Sequence, residues 1–319
     1  MNLAQSIKLI FIAIFVFQAL PETAQSAERV RVLATFSILG DMVERVGGQH
    51  VTVTTLVGPD GDTHVYKPTP AAAKAMSKSE VLIVNGLEFE GWLDRLVEAA
   101  DFKGKRVVAT NGIDAIPYEE GEGHDDHAKD KHDDHAHHDH HDHGEFDPHA
   151  WQSLKNAMVY VNNIAAALSE IDPNNAATFN KNRIAYIAEI KALDKDIRAM
   201  VARLPQDRRT VVTSHDAFQY FGREYGLKFL APQGLSTDSE ASAKDVAHLI
   251  KQMRAKNISA VFLENITDPR LIKQIAKETG ANVGGTLYPG ALSGPNGPAS
   301  TYLKMIRHNA TMLTRALGS

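Results

Sequence analysis

The chain has no cysteine among its 319 residues. That excludes disulfides and thiolate metal sites, and it removes the lipobox cysteine by which some exported bacterial proteins are tethered. Any bound metal must be held by His, Asp, Glu or water. Long apolar runs are also scarce. The longest follows Lys8, covers about twelve residues and gives way to Thr23-Ala24-Gln25-Ser26-Ala27; a membrane-spanning helix needs roughly 20. This pattern is that of a secretory signal peptide, cleaved near Ser26 or Ala27, and predicts a soluble exported protein. Excess charge is missing from the body of the chain as well. The net charge of −5 comes from residues 124–143, which hold seven Asp and two Lys; the rest is balanced at 32 acidic and 32 basic residues. A neutral body argues against nucleic acid as a partner.

What is present is enough for two lobes: the composition is 43% hydrophobic and 23% charged, which supports a sizeable core. β-rich runs at 30–34, 51–56, 81–84 and 106–109 alternate with helical patterns at 38–46, 71–77 and 92–100. A second alternating series has strands at 210–213, 228–231, 260–263 and 282–286, and helices at 218–225, 243–255, 270–279 and 302–317. Such alternation predicts mainly parallel sheets with crossover helices. Between the series, Ile184, Ile187, Ile190, Leu193, Ile197, Val201 and Leu204 recur at helical spacing over 174–204, a rod of about 45 Å. The predicted fold is therefore α/β, with two lobes joined by one long linking helix. The expected division is a signal peptide at 1–27, an N-terminal lobe at 28–172 that includes a His/Asp-rich loop at 119–146, the linking helix at 173–204 and a C-terminal lobe at 205–319.

Residues 124–143 contain nine histidines: His124, His127, His132, His135, His137, His138, His140, His141 and His143. With Asp, Lys and Ala as the only other residues, this tract cannot form a core and reads as a disordered loop. Irregularly spaced imidazoles and carboxylates give many weak sites for Zn²⁺, Cu²⁺ or Ni²⁺ but no single geometry. Its alternative is a solvated insertion with incidental metal affinity.

Three other histidines share a position in the α/β pattern. His64 lies in a turn-rich loop after the strand at 51–56, His149 immediately precedes a helix, and His215 follows the strand at 210–213. Strand C-terminal ends and helix N-terminal ends are where α/β sheets hold ligands. Any one of the three could be a capping or hydrogen-bonding residue, but together they point to metal. His248 and His308 fall inside helices and His50 in a turn, and all three read as packing or surface residues. Asp62 and Asp216 are candidate acceptors that orient the neighbouring imidazoles, or else turn and cap residues.

These segments resemble the zinc and manganese solute-binding proteins of bacterial ABC importers over nearly the whole mature chain. The markers are Asp62-Thr63-His64-Val65-Tyr66-Lys67-Pro68-Thr69-Pro70, Asn85-Gly86-Leu87-Glu88-Phe89-Glu90-Gly91-Trp92-Leu93, Asp147-Pro148-His149-Ala150-Trp151, Ser214-His215-Asp216-Ala217-Phe218 and Gly284-Gly285-Thr286-Leu287-Tyr288. The resemblance implies metal held between the lobes by His64, His149 and His215, and delivery of Zn²⁺ to a membrane permease. A periplasmic metallochaperone is a candidate second partner, and the protein is expected to be a monomer. Manganese binders of this kind usually carry Glu at the position matching His215; an imidazole there favours zinc, because carboxylates suit manganese.

The chain departs from the pattern at a fourth ligand. Many relatives have Asp where Gly290 stands, and no carboxylate occurs from Asn282 to the C-terminus. Water, a tract histidine or a carboxylate from elsewhere must serve. Glu264 is the candidate, as ligand or as a buried partner of a ligand histidine. Binding is expected to stiffen the cleft loops rather than swing the lobes. Competing readings are a manganese or other divalent-metal carrier, a periplasmic zinc buffer, and a zinc hydrolase. Against the last stands the lack of a His-Glu-x-x-His helix or other catalytic arrangement.

Overall fold

A computed structural model describes residues 29–118 and 145–318. The expected signal peptide and the tract histidines lie outside the described residues. No described helix is long and apolar enough to cross a membrane.

The first lobe is a four-stranded parallel sheet of β1 (Val30–Phe36), β2 (Val51–Val57), β3 (Val81–Val84) and β4 (Lys105–Val108), in the order β2-β1-β3-β4. Its crossovers are α1 (Ser37–Gly47), α2 (Pro70–Ser77) and α3 (Leu93–Ala99). Local chemistry sets these boundaries: Thr69 caps α2 by accepting Ala72 N–H, and Pro70 fills the first turn, where its missing donor costs nothing. After β4 the chain runs into α4 (Leu154–Ile171), capped by Ser153, and α5 (Ala176–Val201).

The second lobe repeats the design. β5 (Thr210–Val212), β6 (Lys228–Leu230), β7 (Ala260–Glu264) and β8 (Asn282–Leu287) form a parallel sheet in the order β6-β5-β7-β8. Its helices are α6 (Gln219–Tyr225), α7 (Ala243–Ala255), α8 (Arg270–Thr279) and α9 (Tyr302–Leu317). The register between β7 and β8 shifts between Val261 and Leu263, and Gly285 sits in β8 at φ +125°, a conformation open essentially to glycine.

Two parallel-sheet lobes and a joining helix agree with the predicted fold, but the helix differs in detail. α5 begins at Ala176, behind a 3₁₀ turn at Pro173–Asn175, and ends at Val201. Its 26 residues span about 39 Å rather than the expected 45 Å. The buried stripe is Phe179, Tyr186, Ile190, Leu193, Ile197 and Val201, whereas Ile184 is 56% exposed. α5 packs against α1 and α4 of the first lobe. Of the expected stripe Ile187 packs on the core and Ile184 alone points away, while Phe179 and Tyr186 extend the buried face toward the start of the helix. α5 also packs against α6 and α9 of the second lobe. One hydrophobic cluster runs through both lobes, from Val32 and Leu82 through Trp151 and Phe218 to Tyr302 and Leu313. The lobes therefore share a core, and large rigid-body opening would expose it.

Candidate metal centre

Each sheet reverses its strand order at one place, between β1 and β3 and between β5 and β7. Crevices at such switch points are where α/β sheets bind ligands. In the second lobe, His215 lies just past β5 and Glu264 ends β7, so the two meet across the switch point. Glu264 Oε2 lies 2.5 Å from His215 Nδ1, and Oε1 accepts the backbone N–H groups of Ser214 and His215 at 3.0 and 3.2 Å. Both carboxylate oxygens are thereby engaged behind the imidazole. His215 Nε2 is left buried without a hydrogen-bond partner and faces the interlobe space.

His149 enters from the first lobe on the stretch before α4. Asp147 Oδ1 accepts its backbone N–H at 2.8 Å and its Nδ1–H at 2.9 Å, which frees the Nε2 lone pair. His64 sits on the loop after β2. Its Nε2 lies 3.3 Å from His149 Nε2, and one ring nitrogen from each of His64, His149 and His215 falls within 4.8 Å of the others. Among the described residues this is the one group of three or more His, Cys, Asp or Glu so placed.

Electrostatics suits cation binding. Burial, reinforced by the neighbouring imidazoles, lowers the pKa of His64 and His149 well below the ordinary value, so both stay neutral. Burial also works against protonation of His215, but Glu264 outweighs it and the pKa is raised. Burial pushes Asp147 up to about 7. His149 and His215 are fully buried, while His64 retains some exposure and lies at the mouth.

The loops are held from behind. Trp92 Nε1–H donates to Thr63 O at 2.9 Å, and the Tyr66 ring packs on Trp92. Phe89 lies edge-on to His64 with centroids 4.9 Å apart and also touches His149 and Trp151. Phe89 is presented by three consecutive residues at positive φ: Gly86, Leu87 and Glu88. Buried Glu90 clasps this loop by accepting Thr35 Oγ1–H at 2.6 Å and the Asn85 and Gly86 N–H groups at 2.7 and 3.2 Å. A Cβ at Gly86 would fall 2.5 Å from Val108 Cγ1, so glycine is required sterically as well.

The other sequence candidates fall outside the imidazole cluster. Asp62 does not orient a ring: Oδ1 accepts the His64 backbone N–H at 3.0 Å, and Oδ2 accepts Thr237 Oγ1–H at 2.5 Å. Asp216 Oδ1 accepts Gln219 Nε2–H at 2.5 Å, the local turn role. Glu264 stands behind His215 rather than among the ring nitrogens. Gly290 lies next to Pro289, whose carbonyl accepts Trp151 Nε1–H and Gln152 Nε2–H, both at 2.7 Å. Asp147 was missed as an imidazole partner, although its spacing to His149 repeats that of Asp62 to His64. The ends of the His-rich insertion meet at a short neck, with Pro117 bridged to Phe146 and Tyr118 N–H donating to Glu145 O at 2.9 Å. Tyr220 of the second lobe clamps that neck, accepting Ile116 N–H and donating to Asp147 O.

Residues 32–316 match the family described as zinc-uptake complex component A, periplasmic. The manganese-binding lipoprotein MntA of Bacillus subtilis is 36% identical over 91% of this chain and 90% of its own length. The iron-binding protein YfeA of Yersinia pestis is 32% identical over 92% of this chain and 88% of its own. The periplasmic zinc-binding protein TroA of Treponema pallidum superposes with a TM-score of 0.80 at 26% identity, covering 91% of this chain and 99% of that one. Members of the family are substrate-binding transport components rather than enzymes. The chain belongs to this family, as the periplasmic metal-binding component of an ABC importer that delivers its ion to a membrane permease.

Proposed function

We propose that the cargo is Zn²⁺, held by the Nε2 atoms of His64, His149 and His215. The observation that carries this reading is the 3.3 Å separation of His64 Nε2 and His149 Nε2. Two nitrogens bound tetrahedrally at about 2.0–2.1 Å stand about 3.3–3.4 Å apart. With all three nitrogens within 4.8 Å, completing the site takes a shift of about 1.6 Å at most. An all-imidazole set suits zinc better than manganese, and the two nearest carboxylates are turned to the far ring nitrogens, where they fix tautomers. The fourth position is left to water or another exogenous donor. Further parts of the reading are export by cleavage near Ser26 or Ala27 without a lipid anchor, action as a monomer, and metal collection by residues 124–143.

A manganese or iron cargo is the second reading, favoured by the names of the relatives MntA and YfeA. Competitive titration with Zn²⁺ and Mn²⁺ decides, run on the intact protein and on a version lacking residues 124–143. One tight zinc equivalent should survive the deletion and vanish in His64→Ala. A preference for Mn²⁺ would sink the zinc assignment.

A further inference from the structure

The loop that carries His64 belongs to the first lobe by sequence but is also tied to the second. Asp60 N–H donates to Leu292 O at 2.8 Å, and Asp60 Oδ1 accepts Asn265 Nδ2–H at 2.9 Å. Nearer the ligand, Asp62 joins the two lobes through one carboxylate. Oδ1 holds the His64 backbone N–H, and Oδ2 takes the hydroxyl of Thr237.

Thr237 lies on a strap of chain between β6 and α7 whose root is tied to His215. Gln233 bridges His215 in parallel fashion, Asp216 N–H donates to Gly234 O at 3.1 Å, and Gln233 Nε2–H closes the strap on Ser239 O at 3.0 Å. Asn265, the other hook, directly follows Glu264, which holds the His215 ring. Two of the three second-lobe contacts to the His64 loop, those from Asn265 and Thr237, thus originate in the segments that position His215.

We propose that Thr237 is a positioning residue for metal retention: its hydroxyl, acting through Asp62, keeps His64 over the ion from the opposite lobe. The proposal rests on the reading of His64 as a ligand. His64 is the one member of the trio with some exposure, so it is the first to leave a loaded site, and whatever tethers its backbone sets the escape rate. Capture depends instead on encounter with His149 and His215, whose rings are set by Asp147 and Glu264 and not by the Thr237 hydroxyl.

The test is stopped-flow release of zinc from the purified protein into excess chelator, paired with the association rate. Thr237→Val keeps shape and removes the donor, while the Asp60 contacts remain to hold the loop's root. Release should accelerate about tenfold, the lower range for a lost hydrogen bond to a charged group, with association changed by less than about twofold. Thr237→Ser should restore slow release. Unchanged release in Thr237→Val, equal changes in both rates, or failure of serine to rescue would each overturn the strap. His64→Ala is the control: if it keeps the slow phase, the three-histidine reading falls and takes the strap with it.

Discussion

Replacing Glu264 by glutamine changes one atom type in a fully enclosed contact. In the native protein Oε1 accepts two backbone N–H groups and Oε2 faces His215 Nδ1 at 2.5 Å. The amide can satisfy the backbone only with its carbonyl, which leaves its NH₂ group facing Nδ1. That nitrogen must then accept, and the ring proton moves to Nε2, the atom aimed at His64 and His149. A ligand histidine in the wrong tautomer, with its charged partner gone, costs about 10- to 100-fold in affinity, equivalent to about 1.4–2.7 kcal/mol. The pH dependence supplies an independent readout. Glu264 raises the pKa of His215 against the effect of burial, so the native site must expel a proton to bind metal, and affinity rises with pH until that proton is lost. Without the anionic partner, proton competition at His215 sets in only at lower pH. The affinity gap between native protein and variant should therefore narrow on acidification. Chelator competition between about pH 6 and 8 measures both effects, with folding of the metal-free variant checked by circular dichroism. Binding by Glu264→Gln within about twofold of native at the upper pH, or a gap that widens on acidification, would refute the reasoning.

Gly290→Asp should be tolerated, since a Cβ there meets Ile266 and Trp151 only at 3.7 and 3.8 Å. By adding a hard oxygen donor it should shift the Zn²⁺/Mn²⁺ affinity ratio toward manganese, and an unchanged ratio in parallel titrations would show that position 290 does not face the ion. Asp41 of α1 accepts the Tyr302 N–H at the start of α9 at 2.9 Å, and burial raises its carboxyl from 3.8 to about 6. The native state then binds this proton more tightly than the unfolded chain, so ionisation costs stability above pH 6 and the cost fades as pH falls toward 4. Asp41→Asn, which still accepts the bond, should gain up to about 3 kcal/mol near neutral pH and lose that advantage by about pH 4. Urea unfolding of the metal-free protein at the two pH values measures it; a pH-independent difference would contradict the assignment.

The three histidines were legible because strand ends and helix starts concentrate ligand groups, and a sequence shows both. Glu264 was legible for the same reason, as the residue that closes β7. Side-chain direction was not. Asp62 and Asp147 each stand two residues before a histidine, yet only Asp147 reaches the ring, while the second oxygen of Asp62 takes the Thr237 hydroxyl across the cleft. Nothing local distinguishes the two. Phe89 and Glu90 lay inside a quoted motif, but their part in it depends on three left-handed residues in succession, which only Gly86 announces. The stripe of α5 departed from expectation at Ile184, which is exposed while the aromatic residues Phe179 and Tyr186 are buried on the other side.

The neck at Tyr118 and Glu145 makes the histidine content of this protein adjustable independently of its metal centre. The two ends of the insertion already meet in a hydrogen bond and are clamped by Tyr220 before the chain reaches Asp147. Closure at this base constrains the ends of whatever stretch is inserted, and in general doubling the length of a flexible closed segment costs only about 0.6 kcal/mol. Histidines can therefore be added, lost or shuffled between residues 119 and 144 while His149 and its partner keep their places. The histidine content of that stretch and the placement of His149 can change on separate schedules within one chain.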